Sequence, residues 1–347
     1  MMTLPNLEKI DFSENGMSMT VSHSTNNYPK TIDVYPNYTK LKEFIVPNLT
    51  FQIHCPANVF PNSPLEKIKI GYLYSGWAFY EYNRFEYRGL CKNKPTLKEV
   101  EITTMNFDHE KSNLKEMFYG CTNLTSFKLS TIDTTFNTDI SYMFYNCASL
   151  EDIDLSWMKT KMVTNMAYLF HGCSNLKTYN IDNFDYTNTA SIIYMFAGCK
   201  SLESVKLKIA NAPLLKNALN LFANCESLKT VDLTEANLSL VTSSEYWFTN
   251  CKSLKTLDLS YLNLNSITSA KGMFKGCIEL EELDLSNFTF SKNFTCAEMF
   301  KDCISLKKLD IRNWQINKVS SSNYYTDFFS NVPNDCLIIV KDTSCRS

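Results

Sequence analysis

Residues 257–277 read LDLSYLNLNSITSAKGMFKGC and residues 283–303 read LDLSNFTFSKNFTCAEMFKDC. Superposed at an offset of 26, they share the LDLS start and the MFK-x-C end, and the same offset extends outward in both directions. Eight cysteines stand at this interval: Cys121, Cys147, Cys173, Cys199, Cys225, Cys251, Cys277 and Cys303. Three residues before each is a phenylalanine, from Phe118 to Phe300, and three after each is a leucine, from Leu124 to Leu306. Phenylalanine alone would coincide in this way on the order of once in a billion trials, so the period is a structural repeat.

Within each unit the apolar spacing changes. Leu254, Leu257 and Leu259 follow LxxLxL, as do Leu280, Leu283 and Leu285, which predicts a short half-buried strand. Val163, Met166, Phe170 and Cys173 then fall three, four and three apart, which predicts one stripe of a short helix. The residue before each ladder cysteine is Gly, Asn or Asp, the types that accept a left-handed backbone, and it marks the stop after that helix. One unit cannot cover its own apolar face, whereas a stack can. The chain is therefore expected to be a solenoid.

Before Cys121 the spacing loosens while the strand signature persists. Leu7–Phe12 (LEKIDF), Leu41–Val46 (LKEFIV), Leu65–Ile70 (LEKIKI) and Leu97–Ile102 (LKEVEI) predict four further strands, 34, 24 and 32 residues apart. Near the other end Cys336–Val340 (CLIIV) predicts a closing strand. The organisation expected is an irregular segment over 1–113, regular repeats over 114–329, and a closing strand and tail over 330–347. Twelve or thirteen strands would form one parallel sheet.

Composition narrows the function. Thirty-four basic and 36 acidic residues in 347 leave a formal charge of −2, too little for an overall field that attracts nucleic acid or an anionic membrane. No run of 18 apolar residues is present, so membrane insertion is not expected, and residues 1–30 lack the order of a signal peptide.

In strand pattern and MFxxC ending the repeats resemble the BspA-like bacterial surface leucine-rich repeats, LDLSxFDTSxVTDMSxMFxGC. The resemblance covers residues 114 to about 311 well and the first 110 weakly. It implies a leucine-rich-repeat solenoid, an α/β curved right-handed superhelix with a parallel sheet on the concave side and short helices on the convex side. It also implies an exported, cell-surface, non-enzymatic protein that binds proteins, other cells or matrix. The chain departs from the general leucine-rich repeat where that consensus places an Asn or Cys ladder; here stand Ile132, Met158, Phe184, Ala210, Ala236, Leu262, Phe288 and Trp314. Apolar packing rather than an amide ladder is expected to seal the turn after the strand.

Four sets of residues are candidates for function. The periodic cysteines lack CxxC or HxxxH spacing, and the four histidines (His23, His54, His109, His171) are scattered, so no metal or other cofactor is expected. Ladder neighbours about 5 Å apart also exceed the roughly 3.8 Å Cβ separation of a disulfide, so buried reduced thiols are expected. The other five are Cys55, Cys91, Cys296, Cys336 and Cys345, with Cys345 expected to be the most exposed.

Strand residues five, seven and nine after each cysteine should face the concave side, aligning Asp232, Asp258, Asp284 and Asp310 in a file. Such a file either binds cations or basic partners or is relieved by neighbouring hydroxyls and lysines. Residues 71–89, GYLYSGWAFYEYNRFEYRG, carry eight aromatics including Tyr72, Tyr74, Trp77, Tyr80 and Tyr82, with a turn expected at Ser75 and Gly76. This segment is read as an insertion that either recognises a glycan or protein or packs back on the solenoid. At the start, Leu4 and Leu7 enter a strand with no polar cap, so the open first strand is expected to pair end to end with another element.

No nucleophile elbow or phosphate-cradling glycine loop is present, so catalysis is not expected. The expected function is a binding module for a protein or glycan at a cell surface. The alternative is a structural spacer or receptor-binding segment of a larger exported or virion-attached assembly.

Overall fold

The computed structural model describes residues 8–11, 39–53, 60, 62–75, 88–106, 113–288, 294–314 and 325–341. Among them run thirteen strands, every pairing parallel and every neighbour consecutive in the chain. The chain is a parallel β-solenoid. β1 (Lys9–Asp11), β2 (Glu43–Ile53), β3 (Lys67–Ser75), β4 (Glu99–Asn106) and β5 (Ser126–Ile132) form one five-stranded sheet. The four strands expected before Cys121 overlap β1 to β4, while Leu4, Leu7 and Phe12 lie outside the described residues. The segment read as an aromatic insertion begins inside β3, where Tyr72 pairs with Thr50 and Thr104; β3 runs to Ser75, and Gly76, the second residue of the expected turn, lies outside the described residues.

From Cys147 onward each turn of the solenoid contributes a strand of two or three residues. These are β6 (Asp152–Asp154), β7 (Thr178–Asn180), β8 (Ser204–Lys206), β9 (Thr230–Asp232), β10 (Thr256–Leu257), β11 (Glu282–Asp284) and β12 (Lys308–Asp310), closed by β13 (Leu337–Ile339). Registers step by 26, as in Leu283↔Leu309. The thirteen strands are not one sheet: β6 pairs only with β7, β8 with β9, and β10 to β13 form a separate group of four.

The expected convex helices are absent among the described residues. The stripe Val163, Met166, Phe170 and Cys173 is fully buried, but its backbone is a run of tight turns. In the second repeat Met143, Tyr145 and Cys147 donate their N–H groups three residues back, to Ile140, Tyr142 and Phe144. The alternate N–H groups, of Ile140, Tyr142, Phe144 and Asn146, instead cross to carbonyls 25 residues on, at 2.7 to 3.1 Å. A helix cannot run through this segment, because two residues four apart are left-handed in each repeat, for instance Tyr168 (φ 59°) and Gly172 (φ 74°). The glycine stop was expected; the left-handed tyrosine was not.

Two ladders fill the interior. Phenylalanine rings stack from Phe118 to Phe300 with centroids 5.2 to 6.0 Å apart, and the file continues to Phe329 at 5.9 Å. Beside it the eight ladder cysteines are fully buried. They are more than apolar filler: seven donate their thiol hydrogens to the phenylalanine carbonyl 29 residues earlier, at 3.0 to 3.3 Å, and Cys121 donates to Cys91 O at 2.9 Å. The turn after the strand is sealed by Met158, Phe184, Leu262 and Phe288, all buried. Apolar packing is not alone there: the side-chain amides of Asn183, Asn287 and Asn313 donate to the carbonyls of Ser156, Ser260 and Ser286 at 2.9, 2.9 and 2.5 Å. A partial amide ladder thus sits one position earlier than the consensus site. Ala210 breaks the seal; it is exposed, and Ile209 is buried in its place.

Candidate binding face

The short strands expose alternate residues, as in β6, where Asp152 and Asp154 face out and Ile153 is buried. Buried positions repeat from turn to turn, while the exposed ones change. At the last strand position, or just after it for Asp258, Asp154, Asp232, Asp258, Asp284 and Asp310 each use a carboxylate oxygen to accept the N–H two residues on, at 2.8 to 3.1 Å. An aspartate here is a turn former before it is a ligand.

The four aspartates singled out from the sequence therefore differ in freedom. Asp232 pairs with Lys206 at 3.2 Å and also accepts the Thr234 hydroxyl. The Thr234 donors, and then Lys206, hold its pKa down to about 2. Asp310 is buried under Arg312, whose guanidinium pairs with both carboxylate oxygens and depresses its pKa. Asp258 and Asp284 are exposed. The Ser260 N–H lowers the pKa of Asp258. The repulsion expected along the file is thus relieved at both ends, leaving β10 and β11 as the acidic centre, with Glu282 beside them.

Neighbouring residues form an ion-pair register. Glu66–Lys98, Glu151–Lys177, Glu203–Lys229 and Glu281–Lys307 bridge adjacent turns at 2.6 to 3.0 Å. All are solvent-exposed pairs, each worth about 0–1 kcal/mol. They set register and a mixed-charge surface more than stability.

Of the aromatic candidates, Tyr72 lies on β3 and is 40% exposed, Tyr74 lies on the same strand, and Trp77, Tyr80 and Tyr82 lie outside the described residues. The structure adds a second aromatic array on the turn side. Tyr142, Tyr168 and Tyr194 stack at 4.5 and 4.7 Å, and Tyr119, Tyr145 and His171 stack beside them at 4.6 and 4.8 Å. Lys92 caps the second stack 4.8 Å from the Tyr119 ring. The signal was present in the sequence as tyrosine at 26-residue spacing, masked by the helical reading of the segment.

Among the described residues no group of three or more His, Cys, Asp or Glu side chains could hold a metal, and the eleven described cysteines are free thiols. Burial pushes the thiols of Cys121, Cys173, Cys225 and Cys303 up to about 12. Cys336 is only half-buried, and Cys55 and Cys345 lie outside the described residues. No helix among the described residues is long and apolar enough to cross a membrane.

Three solved structures resemble the chain over nearly its whole length. A leucine-rich cell surface protein from Faecalibacterium prausnitzii A2-165 is 16% identical over 98% of this chain and 89% of its own, with a TM-score of 0.40. A leucine-rich repeat protein from Bacteroides ovatus ATCC 8483 is 15% identical over 99% and 97%, at 0.33, and the pneumococcal vaccine antigen PcpA is 15% identical over 97% and 93%, at 0.34. No curated protein matches the chain. The family model described as "Mycoplasma protein of unknown function, DUF285" matches twice, over residues 102–212 and 216–335, and on that match the chain belongs to the DUF285 family.

Proposed function

We propose that the chain is a non-enzymatic binding module whose strand face takes a protein or glycan ligand, in the role of a cell-surface adhesin. The observation that carries this reading is the contrast between constant and varied positions within one molecule. Phe, Cys and Leu recur in all eight regular repeats and are buried, while the outward strand positions hold Asp, Thr, Ser, Lys and Glu in changing order. A spacer needs only the first kind of position; a recognition surface needs the second. The BspA-like character of the repeats points the same way, and the acidic centre Asp258, Glu282 and Asp284 and the exposed Tyr72 are the residues chosen to carry contact.

The test is retention of beads carrying the purified chain on cultured epithelial monolayers. Beads bearing the native chain are expected to be held above albumin-coated beads, and beads bearing an Asp258→Ser, Glu282→Ser, Asp284→Ser variant with unchanged melting to be held less. Retention no better than albumin would sink the reading.

The alternative, a spacer in a larger assembly, is favoured by one observation. Among the described residues β13 pairs only with β12, and Leu337 within it and Val340 just after it stand 58% and 52% exposed. An open apolar strand edge is a template for another strand. Sedimentation showing concentration-dependent growth, abolished by Leu337→Lys, would support it, and a monomer at all concentrations would remove it.

A further inference from the structure

The strand groups are separated by three interruptions, and two of them are filled. Where adjacent strands pair normally, the N–H after the strand reaches the next turn, as Leu155 N donates to Asn180 O at 2.8 Å and Leu207 N to Asp232 O at 3.0 Å. Between β7 and β8 the Tyr179 hydroxyl stands in this gap, accepting the Lys206 N–H at 2.8 Å and donating to Lys206 O at 2.9 Å. Between β9 and β10 the Tyr261 hydroxyl accepts the Leu233 N–H at 3.1 Å.

Between β5 and β6 no main-chain hydrogen bond is made among the described residues, and no hydroxyl replaces it. The residue in the place of Tyr179 is Phe127. Its ring packs 4.9 Å from Phe144, as Tyr179 packs 4.9 Å from Phe196, but it has no oxygen to offer Asp154. A cavity of about 490 Å³ opens there, lined by Thr125, Ser126, Phe127, Ser149, Glu151, Asp152 and Asp154. The Asp154 carbonyl takes the Trp157 indole N–H at 3.2 Å, and its own N–H points away from β7, whose bonds are made by Glu151 and Leu155, toward β5, which does not pair there.

We propose that this cavity binds a neutral saccharide, one of whose hydroxyls occupies the place that the Tyr179 hydroxyl holds two turns later. The inference rests on the binding-module reading and names a ligand class for one part of the strand face. The chemistry selects a hydroxyl. The unmatched Asp154 N–H needs an acceptor, which excludes an ammonium or guanidinium as the sole occupant. The surrounding carboxylates of Glu151, Asp152 and Asp154 need donors, which excludes an anion. A hydroxyl is both. The carboxylates are held in place, Glu151 by Lys177 at 2.8 Å, Asp152 by the Thr178 hydroxyl and Asp154 by the Ser156 N–H at 3.0 Å, and each retains further lone pairs. Phe127, half-buried, contributes apolar surface to the lining, and the volume lies within the range of small-ligand sites.

Saturation-transfer NMR on the full chain with lactose, methyl β-galactoside and N-acetylglucosamine tests this, with agmatine as the cationic probe and N-acetylneuraminic acid as the anionic one. At least one neutral sugar is expected to show transfer. Phe127→Tyr supplies the missing hydroxyl, as Tyr179 does, and is expected to weaken that sugar at least tenfold while raising the melting temperature. Tyr179→Phe is expected to open a second gap and add a second, weaker site. A glycoprotein such as asialofetuin, presented before and after enzymatic deglycosylation, separates a protein-borne glycan from a free sugar as the source.

Transfer to agmatine alone, unchanged sugar binding in a folded Phe127→Tyr chain, or equal binding of the deglycosylated protein overturns the saccharide site. So does silence from every neutral sugar. If the native chain still retains beads on cells in any of these cases, the binding-module reading stands without it.

Discussion

The side chains that repeat are those whose removal the fold feels most. Phe222 lies between Phe196 at 6.0 Å and Phe248 at 5.5 Å and is fully buried. Phe222→Ala leaves a cavity shared by both adjacent turns, and a loss of about 3–5 kcal/mol in denaturant unfolding is expected. Gly272 is constrained from two directions: its φ is +58°, and a Cβ there would lie 2.6 Å from the Tyr246 ring. Gly272→Ala should therefore cost more than the roughly 1 kcal/mol of a left-handed alanine alone, and Tyr246→Ala in the same chain should recover part of the loss. The ladder thiols give a pH signature. Folding raises their pKa from 9.0 to about 12 at Cys173 and Cys225, so the unfolded chain releases protons first. Their linkage leaves stability untouched below pH 9 and lowers it as pH rises from 9 toward 12. Melting temperature should accordingly fall steeply above pH 9, and a thiol reagent at pH 8 should label Cys336 in the native chain while sparing the ladder. A flat alkaline limb would contradict burial of the ladder as thiols.

At the scale of elements, position and pattern were easier to foresee than backbone. The LxxLxL runs place β10 and β11, and the LEKIKI run places β3, because strand alternation needs only a buried and an exposed face. The MFxxC segment misleads because apolar residues three and four apart line one stripe of a helix, and successive tight turns put the same residues on one face. What decides between them is the cross-turn hydrogen bonding of Ile140, Tyr142, Phe144 and Asn146, which exists only once a neighbour is stacked. Left-handed tyrosine, as at Tyr142, Tyr168 and Tyr194, is disfavoured in isolation, and stacking at 4.5 and 4.7 Å offsets it. The candidate face was legible as a file of exposed aspartates, but their unequal burial was not, since Asp310 is covered by an arginine two residues away and Asp258 is not. Sheet breaks were equally hidden, and at two of the three a single tyrosine hydroxyl fills the gap. Tyr179→Phe should remove two hydrogen bonds and cost about 1–3 kcal/mol. Its signature is local: amide exchange at Lys206 should accelerate more than at Leu207, whose N–H donates to Asp232 O in the unbroken ladder with β9.

At the scale of the whole molecule, each turn touches only its neighbours, so stability should be close to a sum of turns and their interfaces. Deleting residues 226–251 tests this, because it removes one period and returns every ladder to phase. The join brings Lys255 opposite Glu203 and Asp258 opposite Lys206, replacing the Lys229–Glu203 and Asp232–Lys206 pairs with the same charges. Asn224 then leans over Gly276, a neighbour with no Cβ, as Asn250 does in the native chain, where an added Cβ would sit 2.3 Å from its amide oxygen. Cys277 would donate to the Phe222 carbonyl in place of Cys251. The shortened chain should unfold in one cooperative transition, with a denaturant m-value reduced in proportion to the residues lost. Deleting residues 226–238 instead removes half a period. It sets strand positions against turn positions and drives Phe248 out of the file between Phe222 and Phe274. That chain should lose cooperative melting altogether. If both deletions unfold the protein equally, contacts between distant turns carry its stability, and the nearest-neighbour account fails.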